Sequence, residues 1–256
     1  MEDRIIAVVS GKGGVGKTFT TVNLGIAMHS FGEDVLLTDT DVTVSNLGLQ
    51  LGIYSFQWTL KDVLDGSVKP EDAIYEHETG IRLLPSSLSL EDLPVHFDIS
   101  ARRLKRIFDR IGGTIIMDCP PGLNEHAVES MKAADEIIVV TNPEITAVTD
   151  ALKVIKFAKD EKKDILGIVL NKVKGDKYEL SSLEVEVMAE APVIAKIPLS
   201  DEVRKSMFLE KPIILYDEYS PVSQAFMKLA ADLIGVPYNI PKFLWLKRLL
   251  RWKPKR

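Results

Sequence analysis

The sequence predicts an α/β fold, a doubly wound and mostly parallel sheet flanked by helices, followed by a C-terminal amphipathic helix. Three observations predict it. Short apolar runs alternate with helix-periodic stretches. The first apolar run enters a glycine-rich turn that opens a helix, and later runs close on acids. Residues 5–9 form a continuous apolar run, the pattern of a parallel strand buried on both faces. A helix is expected over 17–31, then a strand over 35–37 that closes at Asp39 and Asp41. Further strand-like runs lie at 81–84, 114–117, 136–140, 165–170 and 193–197. Helix-compatible spacing covers 101–111, 124–133, 146–160 and 219–234, where Gly235 and Pro237 mark the stop. Such βαβ units have right-handed crossovers, and their ligands sit beyond the carboxyl ends of the strands.

At 256 residues, with 46% hydrophobic and 27% charged side chains, the chain is long enough for one substantial core. One globular domain is expected over 1–234, a proline-bearing linker over 235–241 and a basic tail over 242–256. The tail holds seven of the 32 Lys+Arg and no acid, which leaves 25 basic against 37 acidic side chains in residues 1–241. A net charge of -5 therefore divides into an acidic body and a tail of +7, and the two parts face different partners. The lone cysteine, Cys119, supplies neither a disulfide nor a cluster site, and the four histidines lack a second ligand at metal spacing. A reducing cytoplasm is expected, with no signal peptide and no run of the ~20 apolar residues that a bilayer span needs.

Gly11-Lys12-Gly13-Gly14-Val15-Gly16-Lys17-Thr18 satisfies GxxxxGK[ST] between a strand-like and a helix-like run. Glycines at 11, 13, 14 and 16 let backbone N–H groups approach a phosphate where a β-carbon would clash. The helix N-terminus adds partial positive charge, Lys17 suits the β- and γ-phosphates, and the Thr18 hydroxyl suits magnesium. Residues 114–118 are an apolar strand ending in an acid, so Asp118 is the expected magnesium-shell carboxylate. ATP and Mg²⁺ are the expected ligands, although these residues alone do not choose adenine over guanine.

The second lysine, Lys12, completes KGGxGK[ST] and resembles the deviant Walker A motif of the MinD/ParA family of P-loop ATPases. That resemblance implies a P-loop NTPase fold, a homodimer when ATP is bound, and a Lys12 that reaches the partner's phosphates. Residues 118–122 resemble the family's DxPPG switch, and Asp39-Thr40-Asp41 with Asn46 resembles its DxDxxxxN switch. By the same resemblance Asp41 orients the attacking water and Asp39 helps hold the magnesium shell. It further implies that Asn171 hydrogen-bonds adenine and that the loop beginning at Pro198 packs along the base. An iron-sulfur carrier on this scaffold is set aside, because one cysteine cannot supply paired thiolates.

Projected at 100° per residue, Phe243, Trp245, Leu246, Leu249, Leu250 and Trp252 share one half of a helix. Lys247, Arg248 and Arg251 fall on the other, and Leu244 is the one large apolar residue off the face. This describes a monotopic anchor lying on anionic lipid, with docking on the core or on nucleic acid as alternatives. It also resembles the membrane-targeting sequence of MinD proteins. The expectation is a MinD-like ATPase, cytoplasmic and peripheral on the inner face of the cell membrane, that acts in spatial positioning or cell division. An activating or cargo protein is expected as a further partner. A ParA-like DNA-partitioning ATPase is the competing expectation.

Overall fold

The computed structural model describes residues 3–41, 46–86 and 99–241. The expected tail helix and its lipid contacts lie outside these residues.

Among the described residues eight strands form one sheet in the order β3-β4-β2-β5-β1-β6-β7-β8, parallel except for the edge strand β3. The strands are β1 (Arg4–Val9), β2 (Val35–Asp39), β3 (Tyr75–Glu76), β4 (Arg82–Leu84), β5 (Thr114–Asp118), β6 (Glu136–Thr141), β7 (Asp164–Val173) and β8 (Val193–Pro198). β1 lies between β5 and β6, so the chain winds outward from it in both directions. That arrangement opens a crevice at the carboxyl end of β1.

The helices are α1 (Lys17–Ser30), α2 (Leu47–Gln50), α3 (Leu60–Asp65), α4 (Ala101–Ile111), α5 (Glu125–Ala133), α6 (Ile145–Asp160), α7 (Ser182–Ala189), α8 (Asp201–Phe208), α9 (Ile213–Tyr216) and α10 (Pro221–Ile234). The five helices expected from periodicity are present, with ends moved by capping chemistry. Asn124 caps α5 by accepting from Ala127 N at 2.9 Å, and Ser220 caps α10 by accepting from Ser223 N at 3.0 Å. Strand β3 and helices α2, α3, α7, α8 and α9 were not expected. They span two to eight residues, too few for a period to declare itself, although Thr59 with Asp62 and Ser181 with Glu184 form capping boxes that mark α3 and α7.

Alternate residues of each strand feed two cores. Ile5, Ala7 and Val9 of β1 face a layer with α4, α5 and α6, whereas Ile6 and Val8 face α1 and α10. Helix α1 is buried continuously from Phe19 to Met28, because the sheet lies on one side and α10 on the other. Phe19 meets Phe226 of α10 edge to face, with ring centroids 5.5 Å apart. The first residue of α1 is Lys17, so this packing also anchors the glycine-rich turn.

Residues 235–241 are less detached than the sequence suggested. Gly235 ends α10 in a left-handed conformation at φ 72°, and the chain then returns onto the body. The Tyr238 hydroxyl donates to Gln224 Oε1 at 2.8 Å, and its ring packs on Phe31 with centroids 5.7 Å apart. Two contacts from one tyrosine thereby fix where the chain leaves the domain.

Phe226 is fully buried whereas Phe208 is 86% exposed. Phe226→Ala is expected to cost about 3–5 kcal/mol and Phe208→Ala less than about 0.5 kcal/mol in urea unfolding. Equal costs would show that the α1–α10 contact carries no special share of stability.

Candidate nucleotide site

Parallel register sets the site. Val8 lies opposite Asp118, and Asp118 lies opposite Asp39, on the neighbouring strands β1, β5 and β2. The glycine-rich turn leaves β1 beside both acids. Lys17 donates through Nζ to Asp118 Oδ1, and the Thr18 hydroxyl donates to Asp118 Oδ2. Thr21, one turn further along α1, adds a 3.4 Å contact to the same carboxylate.

Asp39 is completely buried. Its two oxygens accept from the backbone N–H of Asp41 at 2.9 Å and of Asn46 at 3.1 Å. It therefore ties together both ends of the segment after β2, a role that the sequence did not show. Burial, and next the Asp118 charge, push the Asp39 carboxyl well above the ordinary carboxylate range, while Lys17 pulls the other way. Burial alone would lower the Lys17 ammonium, yet Asp118 and then Asp39 hold it above its ordinary value. Two buried acids thus share one buried cation.

The turn after β5 closes against the same loop. Cys119 N donates to Val8 O at 3.2 Å, and Gly122 N donates to Ser10 O at 2.8 Å. Burial pushes the Cys119 thiol up to about 12, which keeps it protonated within the packed interior.

A cavity of about 580 Å³ opens beside these groups, lined by Lys17, Thr18, Asp41, Pro121, Asn171 and Pro198 among others, whereas the buried Asp39 and Asp118 do not line it. Of the expected residues, Lys17 and Thr18, Asp41, Asn171 and Pro198 therefore line one cavity. A β-carbon at Gly13 or Gly14 would meet nothing within 4 Å, which leaves open space along the loop for a ligand. Gly16 is different. It has φ 97°, and a β-carbon there would lie 2.0 Å from Asn171 Nδ2. Gly11 packs so closely on α6 that a β-carbon would lie 2.2 Å from the carbonyl carbon of Asp150.

Two expected residues are placed less simply. Lys12 does not line the cavity; its ammonium lies 3.7 Å from Glu144 at the start of α6. Asn171 lines the cavity, but its amide donates to Val15 O at 2.7 Å and its Oδ1 accepts from Lys172 N at 2.9 Å. One amide hydrogen and one lone pair remain for a base. Sequence reasoning missed Val203, Arg204 and Met207 of α8, which line the wall beyond Pro198. Val203 and Met207 at i, i+4 spacing were the signal available for that helix.

The donor set fits magnesium. A hydroxyl and carboxylates are hard oxygen ligands, and Mg²⁺ keeps several waters while using one or two carboxylates plus substrate phosphates. Among the described residues no group of three or more His, Cys, Asp or Glu could cage a metal.

Comparison with known proteins agrees with this geometry. A family model described as an AAA domain matches residues 3–168, and the ParA model, described as a NUBPL iron-transfer P-loop NTPase, matches residues 112–234. An ATP-binding protein of Methanocaldococcus jannaschii is 37% identical over 234 residues, covering 91% of this chain and 89% of that protein. The chromosome partitioning protein ParA of Caulobacter vibrioides is 32% identical, with coverage of 91% and 94%. The structure of the Pyrococcus furiosus cell division ATPase MinD superposes with TM-score 0.84 at 36% identity, covering 91% of this chain and 99% of that one. MinD of Pyrococcus horikoshii, solved with Mg-ADP, gives TM-score 0.83 at 36% identity, with coverage of 90% and 95%. With the strand–loop–helix P-loop, the paired strand-end acids and these relatives together, the chain belongs to the MinD/ParA family of P-loop ATPases.

Proposed function

We propose that this chain is a MinD-like ATPase that binds Mg-ATP in the cavity, dimerises in the ATP state, and associates with anionic membrane through residues 242–256. Hydrolysis to ADP and phosphate then resets it, in the service of spatial positioning or cell division. An activating or cargo protein would set the timing. The observation that carries the reading is one cavity lined together by Lys17, Thr18, Asp41, Asn171 and Pro198, with the buried Asp118 bonded to Lys17 and Thr18 and Asp39 beside it on the next strand.

The chain's own groups divide the work. Loop amides between Gly11 and Thr18, with the α1 N-terminus, bind the phosphates. Thr18, Asp118 and Asp39 would hold Mg²⁺, which when bound neutralises charge that develops on the phosphate oxygens. To admit the nucleotide, Lys17 exchanges Asp118 for a phosphate. Asp41, on the cavity wall, orients the attacking water and accepts its proton. Lys12, turned away from its own cavity, is available to the nucleotide of a second copy. The Asn171 amide and the Pro198 loop hold adenine.

Each basic residue of the tail that reaches an anionic surface contributes about 1 kcal/mol at most, and a single short helix binds lipid reversibly. Two tails in one dimer gain avidity through their effective concentration. Tyr238, bonded to Gln224, sets the origin of each tail on the domain.

A ParA-like reading has an observation of its own. Helix α4 exposes Arg102 and Arg106 one turn apart, with no ion pair to an acid among the described residues, whereas Lys105 pairs with Asp135 at 2.8 Å and Arg110 with Glu71 at 2.6 Å. Such a stripe suits a phosphate backbone.

Three measurements test these readings. Lys12→Ala and Asp41→Ala are each expected to keep Mg-ATP binding in calorimetry while hydrolysis falls by about 10²-fold or more; unchanged turnover in both would remove their catalytic assignment. In co-sedimentation with anionic liposomes, the intact chain is expected to pellet with ATP and much less with ADP, and a chain ending at Ile240 with neither. Equal pelleting in both nucleotides would sink the coupling of membrane residence to ATP. Finally, no salt-sensitive duplex DNA binding is expected after residues 242–256 are removed. If such binding survives and is lost in an Arg102→Glu, Arg106→Glu double variant, the ParA-like reading replaces the MinD-like one.

A further inference from the structure

Among the described residues four non-glycines have positive φ. Lys162, Glu190 and Glu210, at 56°, 48° and 51°, all lie just past helix ends, where left-handed backbone is common. Lys172, at 60°, lies inside strand β7. A β-carbon disfavours that conformation, and strain of this kind persists where surrounding contacts impose it.

The effect on side-chain direction is visible in the packing. Ile168 and Leu170 face the core layer shared with α5 and α6, so a regular strand would send residue 172 there as well. Instead Val173 packs against that layer, and the pairing with β8 shifts register between Leu170 and Val173. One extra residue of β7 lies in that interval, where Lys172 carries the positive φ. The insertion turns two consecutive side chains onto one target, which a regular strand cannot do. Asn171 Nδ2 donates to Val15 O and Lys172 Nζ donates to Gly14 O, both at 2.7 Å. Neighbouring residues of β7 thus grip neighbouring carbonyls of the phosphate loop.

We propose that Lys172 is a positioning residue for phosphate binding: with Asn171 it clamps the Gly14 and Val15 carbonyls and so orders the loop's amides before the nucleotide arrives. In a trans peptide the carbonyl and the next N–H point in opposite directions. Pinning Gly14 O and Val15 O therefore fixes the N–H groups of Val15 and Gly16, two of the donors that a phosphate requires. The ammonium also gives a charge-assisted bond, stronger than an amide could supply at the same place. Gly16 belongs to the same device, because only a residue without a side chain leaves room for the Asn171 amide.

The inference rests on the nucleotide-binding reading above, and its test separates the two. Calorimetry on the full chain would compare Mg-ATP with Mg-tripolyphosphate, which has no base or ribose, for the unaltered protein and for Lys172→Ala, Lys172→Gly and Lys172→Arg. The Ala and Gly variants are expected to weaken both ligands by the same factor, about 10- to 100-fold. Arg is expected to retain most of the affinity. Gly is expected to unfold at higher urea than Ala because it relieves the backbone. Several results overturn the clamp: an Ala variant that binds as well as the original, a loss confined to Mg-ATP, a Gly variant with full affinity, or an unaltered chain that takes up Mg-ATP but no Mg-tripolyphosphate. If the unaltered chain binds neither ligand, the nucleotide reading itself fails first.

Discussion

Two carboxylates, Asp39 and Asp118, stand side by side at the ends of adjacent parallel strands, and both are buried. In low dielectric such a pair is costly unless cations and N–H donors surround it. The rest of the site follows from that requirement. Lys17 and the Thr18 hydroxyl close on Asp118, while backbone amides of Asp41 and Asn46 close on Asp39. The balance is incomplete, with one buried ammonium against two acids. That imbalance pushes the Asp39 carboxyl up and holds the Lys17 ammonium above its ordinary value, so these side chains form a charged knot at the foot of the phosphate loop.

Rigidity of the phosphate loop comes from four sides. Helix α1 is buried along most of its length and starts directly from the loop. The turn after β5 bonds to the loop's base through Gly122 N. Gly11 lies against α6 with no room for a side chain. The end of β7 holds the Gly14 and Val15 carbonyls. Contacts from elements far apart in the chain thus set the direction of the loop's hydrogen-bond donors before any ligand binds, which reduces the ordering cost of binding.

Much of this was legible beforehand because it depends on local rules. The apolar runs at β1, β5 and β6 are long enough to show burial on both faces, and α1, α6 and α10 are long enough to show helical spacing. The phosphate loop announces itself through glycine and lysine at fixed intervals, and Asp39 and Asp118 through their places at strand ends. The base side of the cavity was legible only in part. Pro198 and Asn171 were expected there and both line the cavity, but α8, with Val203, Arg204 and Met207, spans only eight residues. The small edge strand β3 and the four-residue helices α2 and α9 depend on tertiary neighbours for their existence.

By itself the sequence determined the α/β class, the phosphate loop and the acids that face it, because strand burial, glycine spacing and strand-end acids act over a few residues. Only the tertiary structure decided which donor each oxygen receives. Asp39 tying Asp41 to Asn46, Lys12 turning toward Glu144, Lys172 reaching Gly14 and Tyr238 folding back on Gln224 all depend on segments brought together by the sheet. Strand order and register make those meetings, and no local pattern of residues encodes a distance across the sheet.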